Sequence, residues 1–332
     1  KNTMPQNYFK YVDLKSDLFE EAKIFLQTFT PRRTEIMCKA IEQAAGGNGK
    51  MLKAIRDFRA IPCKPIEYVE TRDITIPSED GGIQARVYSK KTESSAEKPI
   101  FLYLHGGGWT IGDINSCADF CQNVAASGMA TVVAINYRRA PENPHPAALD
   151  DCICAYKWLL QNAGSQGLGT RNVFVSGDSA GGHLAIALAD AAISLKLQNP
   201  QGLALFYPVT TFEDRHSDES YKKYGKNYAL DAKLMDTFNN VYIPEKDSRK
   251  DASPLNFKTL SKFPPTLILS SGCDILLNQD EDFANLLFKL NVKTRHVCIR
   301  GATHIYLTMP GMPQSFSMAL QETLDFIKKT SS

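Results

Sequence analysis

Three side chains spaced along the second half of the chain could act together in nucleophilic chemistry: Ser179, Asp274 and His304. Ser179 lies in Gly177-Asp178-Ser179-Ala180-Gly181, between the apolar run Asn172–Ser176 and a helix-like stretch that starts at Gly182. A Gly-x-Ser-x-Gly pentapeptide on a sharp strand-to-helix turn holds a strained serine whose hydroxyl projects above the sheet. Its small neighbours let strand and helix pass closely. Other readings of such a cluster fare worse. Gly177 and Gly182 have the spacing of a phosphate-binding loop, but His183-Leu184 follows where Lys and Ser/Thr are needed. The Gly-x-Gly-x-x-Gly spacing of a dinucleotide site is absent. A packing turn whose serine caps the helix is the bland alternative, and only partners decide against it.

The first partner is upstream. The strand-like Ile100–Leu104 runs into His105-Gly106-Gly107-Gly108-Trp109. Three consecutive glycines after a buried strand are costly in entropy, unless the backbone must approach a ligand and present its N–H groups. Acyl transfer develops an oxyanion, and losing one such donor typically slows it about 10²–10³-fold. The amides of Gly106, Gly107 and Ala180 are therefore assigned to an oxyanion hole. His105 and Gly108 are read as support for the loop, with His105 holding it through its ring nitrogens.

The base and its orienting acid follow Ser179 in the chain. Four histidines lie downstream. His183 is one turn into the same helix, His216 falls in a segment without strands, and His296 sits inside an alternating strand. His304 follows the last strand, where sheets of this kind place their chemistry. Asp274 follows the apolar strand Thr266–Ser271 in the same way and is read as the acid that orients the imidazole. Asp280, Glu281 and Asp282 are expected on the next helix, complementing its N-terminal dipole.

The elements that must position these residues alternate. Strands are expected at 70–77, 83–88, 100–104, 131–136, 172–176, 202–207, 266–271 and 294–299. Helices are expected at 117–127, 147–162, 182–195, 231–240, 280–290 and 315–329. Strand–helix alternation predicts a mostly parallel sheet flanked by helices, an α/β fold. Residues 11–60 carry helix-period apolar positions, interrupted at Gly46-Gly47-Asn48-Gly49, and no strand alternation. Between Val209 and Asn256 no strand is expected. Tyr221, Tyr224, Tyr228, Phe238 and Tyr242 cluster there, either as walls of a small acyl pocket or as the core of a helical insertion.

Composition narrows the function classes. At 332 residues about 75% of the extended chain's surface can be buried, so no metal or disulfide scaffold is needed. The net charge of +2 gives no electrostatic case for nucleic acid or anionic membranes, and no apolar stretch approaches the length of a membrane span. The eight cysteines match no zinc or redox spacing and read as small buried thiols, which favours a reducing, cytoplasmic setting. The chain begins at Lys1, leaving open a removed N-terminal signal or tag.

In combination the motifs resemble the hormone-sensitive-lipase-like, microbial esterase branch of the α/β-hydrolases. They run in order: His105–Trp109 with Gly112, Tyr137-Arg138-Arg139-Ala140-Pro141-Glu142, Pro146-Ala147-Ala148, Gly177–Gly182, Tyr207-Pro208, Ser253-Pro254-Leu255, Pro264-Pro265, Asp274 and His304. The resemblance covers residue 70 to the end. It implies an α/β-hydrolase fold with a helical cap formed by residues 1–60 and an insertion at about 209–246, and a catalytic domain over 61–332. It further implies cofactor-free, metal-free hydrolysis of short- to medium-chain carboxylic esters, and a homodimer by analogy. An amidase or peptidase of the same fold, or a ligand-binding protein on this scaffold, are the alternatives. Three departures stand out. Asn278-Gln279 replaces the usual Asp-Glu after the acid, removing two charges that commonly brace its loop. Ile305-Tyr306 replaces the Gly-Phe after the base, and His145 replaces a phenylalanine.

Overall fold

Strands that pack helices on both faces need apolar side chains in both directions, and the central strands here are buried along their whole length. In the computed structural model, which describes residues 8–12, 18–60 and 63–331, nine strands form one sheet. They are β1 (Tyr8–Val12), β2 (Val69–Ile76), β3 (Ile83–Lys90), β4 (Ile100–Leu104), β5 (Thr131–Ile135), β6 (Val173–Asp178), β7 (Gly202–Phe206), β8 (Thr266–Cys273) and β9 (Thr294–Thr303). Their order is β1-β9-β8-β7-β6-β4-β5-β3-β2. All neighbours are parallel except the β5–β3 and β3–β2 pairs, which are antiparallel.

Eleven helices are described: α1 (Glu20–Leu26), α2 (Pro31–Ala45), α3 (Lys50–Arg59), α4 (Ala118–Ala126), α5 (Ala147–Asn162), α6 (Ala180–Ser194), α7 (Glu219–Tyr224), α8 (Ala232–Tyr242), α9 (Arg249–Ala252), α10 (Leu277–Lys289) and α11 (Pro313–Ser331). Side chains alternate across a strand, and β4 shows the consequence. Ile100, Leu102 and Leu104 join the core shared with α5, α6 and α10. Phe101 and Tyr103 join the opposite core, with Phe120 of α4 and Phe326 of α11. No helix among the described residues is long and apolar enough to cross a membrane.

The first sixty residues are not wholly helical. Tyr8–Val12 is a strand, parallel to β9 at the sheet edge. Tyr8, Phe9, Tyr11 and Val12 favour a strand, but the segment is short and its pairing is decided by an edge nearly three hundred residues away. Three helices follow where two pieces were expected: the break at Gly46–Gly49 separates α2 from α3, and a further break before Pro31, whose ring suits the first turn of a helix, separates α1 from α2. α2 meets α8 of the insertion: Thr237 Oγ1 lies 3.3 Å from Cys38 Sγ, and Thr34 Oγ1 donates to Asp231 Oδ2 at 2.8 Å. The N-terminal helices and the inserted helices thus pack on each other.

Two strands run farther than their apolar patterns suggested. β8 continues through a bulge between Ser271 and Cys273, and β9 continues to Thr303. Cys273 pairs with Thr303 in register. The next residues, Asp274 and His304, therefore leave adjacent parallel strands side by side.

At the turn from β6 into α6, a side chain has no room. A Cβ on Gly181 would stand 1.9 Å from the Leu104 carbonyl oxygen, and one on Gly177 would stand 2.3 Å from that of Gly181. Both clashes are with backbone, which cannot swing aside. Gly181→Ala is expected to destabilise the protein by about 3 kcal/mol, the upper end of the usual cost of overpacking. Thermal denaturation checks this, and an unchanged Tm would refute it.

Candidate active site

Ser179 is the residue between β6 and α6, with φ 53° and ψ −115°. A non-glycine residue rarely adopts a positive φ, and strain of this kind persists only where the surroundings over-determine it. Here they do. The Ser179 N–H donates to the Phe206 carbonyl at 2.9 Å, and the Ser179 carbonyl accepts from the N–H groups of His183 and Val209, each at 3.1 Å. The hydroxyl then stands 3.0 Å from His304 Nε2. His304 Nδ1 donates to Asp274 Oδ2 at 2.6 Å, and Asp274 Oδ1 accepts the Leu276 N–H at 3.0 Å. All three side chains are buried. The fold thus brings together the three residues singled out in the sequence. A hydroxyl, an imidazole and a carboxylate in this order can pass a proton from oxygen to nitrogen and hold the resulting imidazolium in place.

The glycine loop requires a correction. The Gly106 N–H donates to Asp178 Oδ1 at 2.9 Å, and the same oxygen accepts the Tyr103 hydroxyl at 2.8 Å. That amide is already engaged, so it cannot serve an oxyanion. The N–H groups of Gly107, Gly108 and Ala180 make no hydrogen bond among the described residues. Gly107 and Gly108 line the cavity that holds Ser179 and His304. Gly107 has φ 107°, and a Cβ there would stand 2.4 Å from the Gly112 nitrogen. A run of three glycines looks the same from the sequence whichever amide is spent on the scaffold. The acid that spends it comes from another strand.

Asp178 beside the serine is structural in its contacts, and burial raises its pKa despite the two donors. His105 touches the loop through one ring nitrogen, not both: its Nδ1 donates to the Gly106 carbonyl at 2.9 Å, its Nε2 has no partner among the described residues, and its ring stacks on Tyr137 at 4.2 Å. Burial lowers its pKa to about 4. His183 accepts from Trp109 Nε1 at 3.2 Å and donates through Nε2 to the Ala252 carbonyl at 3.2 Å. Burial lowers its pKa to about 3. His296 is also buried, 2.7 Å from Ser270 Oγ, and is held near a pKa of about 4 by desolvation. His216 is exposed between Asp214 and Asp236.

The neutral residues after Asp274 still brace its loop. Asn278 Oδ1 accepts the Ser220 N–H at 2.9 Å, Gln279 Oε1 accepts the Thr210 N–H at 2.7 Å, and Ser220 Oγ donates to the Ile275 carbonyl at 2.7 Å. Amide oxygens thus support this loop where charges were expected to. Asp280 does not decorate a helix dipole. α10 begins earlier than its apolar pattern implied, so this carboxyl is fully buried, and desolvation followed by the charge of Asp274 pushes its pKa well up. After the base, Ile305 has φ 63° and faces the cavity. A β-branched residue in the left-handed region is strained where glycine would not be.

The aromatic cluster of the insertion divides its roles. Tyr242 stacks on Trp109 at 4.4 Å and is fully buried, and Tyr221 and Tyr224 are also core residues. Of the five, Phe238 lines the cavity, together with Leu234 and Met235 of the same helix. Arg33 and Arg59 line it as well and had no mark in the sequence; at the end of a helix, Arg59 reads as an ordinary dipole partner. The described cysteines are free thiols, six of them buried. Among the described residues no three His, Cys, Asp or Glu side chains cluster so as to hold a metal ion.

This fold and site are those of the alpha/beta hydrolase fold family, whose model matches residues 101–308. The chain belongs to that family, in the hormone-sensitive-lipase-like branch its motifs resemble. It is 33% identical to an ethyl acetate hydrolase of Pseudomonas putida, over 71% of this chain and 76% of that protein. It is 31% identical to an arylesterase of Saccharolobus solfataricus, over 82% of this chain and 87% of that one. A solved structure from work on two fungal esterases of Rhizomucor miehei superposes with a TM-score of 0.83 at 26% identity, covering 96% of this chain and 98% of its own.

The buried histidines make stability pH-dependent with a definite sign. Unfolded, His183 binds a proton below about pH 6.5; folded, it does so only near pH 3. Its contribution is complete above the unfolded value and is lost progressively as pH falls to the folded one. His183→Gln should therefore flatten the slope of unfolding free energy against pH by about 1.4 kcal/mol per pH unit near pH 5. Urea titrations across that window check this, and parallel slopes for variant and parent would refute it.

Proposed function

We propose that the protein is a serine carboxylesterase that hydrolyses short- to medium-chain acyl esters through an acyl-enzyme. The observation that carries this reading is the continuous chain of contacts from Ser179 Oγ to His304 Nε2 and from His304 Nδ1 to Asp274. His304 takes the hydroxyl proton as Ser179 attacks the ester carbonyl, and the carbon–oxygen double bond opens to an oxyanion. The free amides of Gly107, Gly108 and Ala180 receive that charge. The imidazolium, steadied by Asp274, gives its proton to the departing alkoxide, and the alcohol leaves. A water then gives its proton to His304, attacks the acyl group and frees the carboxylic acid, restoring the serine.

The likeness to an ethyl acetate hydrolase and an arylesterase supports ester chemistry. The apolar wall of Leu234, Met235 and Phe238, lent by the inserted helix, favours acyl chains of limited length. Ser179→Ala is expected to lower ester turnover by at least about 10³-fold with the circular dichroism spectrum retained. In the parent, an organophosphonate should label Ser179, and activity should decline from acetyl and butyryl esters toward long chains. An unlabelled serine together with no turnover at neutral pH would overturn the reading. Amide turnover matching that of the cognate ester would move the chain to the amidases.

A further inference from the structure

Helix α3 carries two arginines one turn apart with opposite fates. Arg56 is fully engaged: its guanidinium donates to both oxygens of Glu142 at 2.7 and 2.9 Å, to the Thr110 carbonyl at 2.8 Å and to the Ala140 carbonyl at 2.9 Å. This is what a structural arginine looks like in this fold. Arg59 has no hydrogen bond and no ion pair among the described residues, and it lines the cavity of Ser179 and His304. Arg33, from α2, lines the same cavity. It lies 4.1 Å over the Phe29 ring and likewise has no carboxylate partner among the described residues. Both arginines also face a second groove that opens toward Met309 and Phe316, so they stand where the outer groove meets the inner site.

Two guanidinium groups brought together and partly withdrawn from water repel each other. Burial, followed by the charge of Arg33, lowers the pKa of Arg59. The carboxylates whose fields reach it are occupied. Asp178 accepts from Tyr103 and Gly106, and Asp113 accepts from Asn115 and Ser116. A desolvated charge without a counter-charge is unfavourable, and an incoming anion relieves it. The planar guanidinium fork matches a carboxylate with two parallel hydrogen bonds.

We propose that the substrate of this site is an ester that also carries a carboxylate, and that Arg59, assisted by Arg33, binds this carboxylate. The inference rests on the proposed esterase reading for the reacting end of the molecule and adds the chemistry of the far end. The two arginines select substrate and take no part in bond breaking.

Two matched pairs test it: monoethyl adipate against ethyl hexanoate places the charge on the acyl side, and the acetate ester of ω-hydroxyhexanoate against hexyl acetate places it on the alcohol side. In at least one pair the anionic ester is expected to show a kcat/KM about tenfold above its neutral isostere, carried mainly by KM, as one charge-assisted contact would produce. Arg59→Gln should bring the ratio of anionic to neutral kcat/KM to about one, and Arg33→Gln should reduce that ratio. Added salt should weaken it in the parent. Neutral esters turned over with no anion preference in either pair would overturn the proposal and leave the esterase reading standing, as would a preference that survives both substitutions. Should no ester be hydrolysed, the esterase reading falls and calorimetry with adipate on Ser179→Ala decides the binding site separately. Binding abolished by the added Arg59→Gln supports an anion site, and absent or unaltered binding overturns it.

Discussion

The Asp178 carboxyl accepts both the Tyr103 hydroxyl and the Gly106 N–H, and much of the site depends on this one buried contact. It joins the end of β4 to the end of β6, so that the glycine loop and the serine turn move as a unit. Ser179 follows Asp178 directly, and Gly107 follows Gly106. Fixing one pair of neighbours therefore fixes the distance between the hydroxyl and the amides proposed to meet the oxyanion. The absence of side chains at Gly177 and Gly181 lets the two backbones come close enough for that carboxyl to reach.

The other half of the site depends on sheet register. Cys273 opposite Thr303 places Asp274 and His304 on neighbouring strand ends, and each loop is then tied to the segment between β7 and β8. Ser220 of α7 holds the Ile275 carbonyl behind Asp274, and Thr303 Oγ1 donates to the Tyr228 carbonyl at 2.9 Å just before His304. The same segment lends Phe238 to the cavity wall, and α2, on which α8 packs, and α3 lend Arg33 and Arg59. The cavity wall and the arrangement of Ser179, Asp274 and His304 thus share supporting elements, although different residues contribute to each.

Strand and helix positions were legible wherever a segment's own periodicity matched its burial, as in β4 to β7 and in α5. The three residues proposed as a triad could be singled out because each lies in the loop after an apolar run, at 172–176, 266–271 and 294–299. β1 was not legible, since its pairing lies with a distant edge. The extension of β8 and β9 was hidden because Gly272 and Gly301 break the apolar pattern at the points where the strands continue. The burial of Asp280 was missed because an acidic residue early in a helix usually faces water.

By itself the sequence determined the alternation of strands and helices from β2 onward, the chemical types that meet at the strand ends and the need for small residues around Ser179. All three follow from local propensity, local pattern or the steric demands of one turn. Tertiary structure alone decided which amide of the glycine run is spent on Asp178, how neutral Asn278 and Gln279 still brace the loop after Asp274, and why Arg56 is paired while Arg59 has no such partner among the described residues. Each of those outcomes turns on a partner that is far away in the chain and within a few ångströms in space. A residue's type states what it can bond to, and only the fold determines whether that bond is already made.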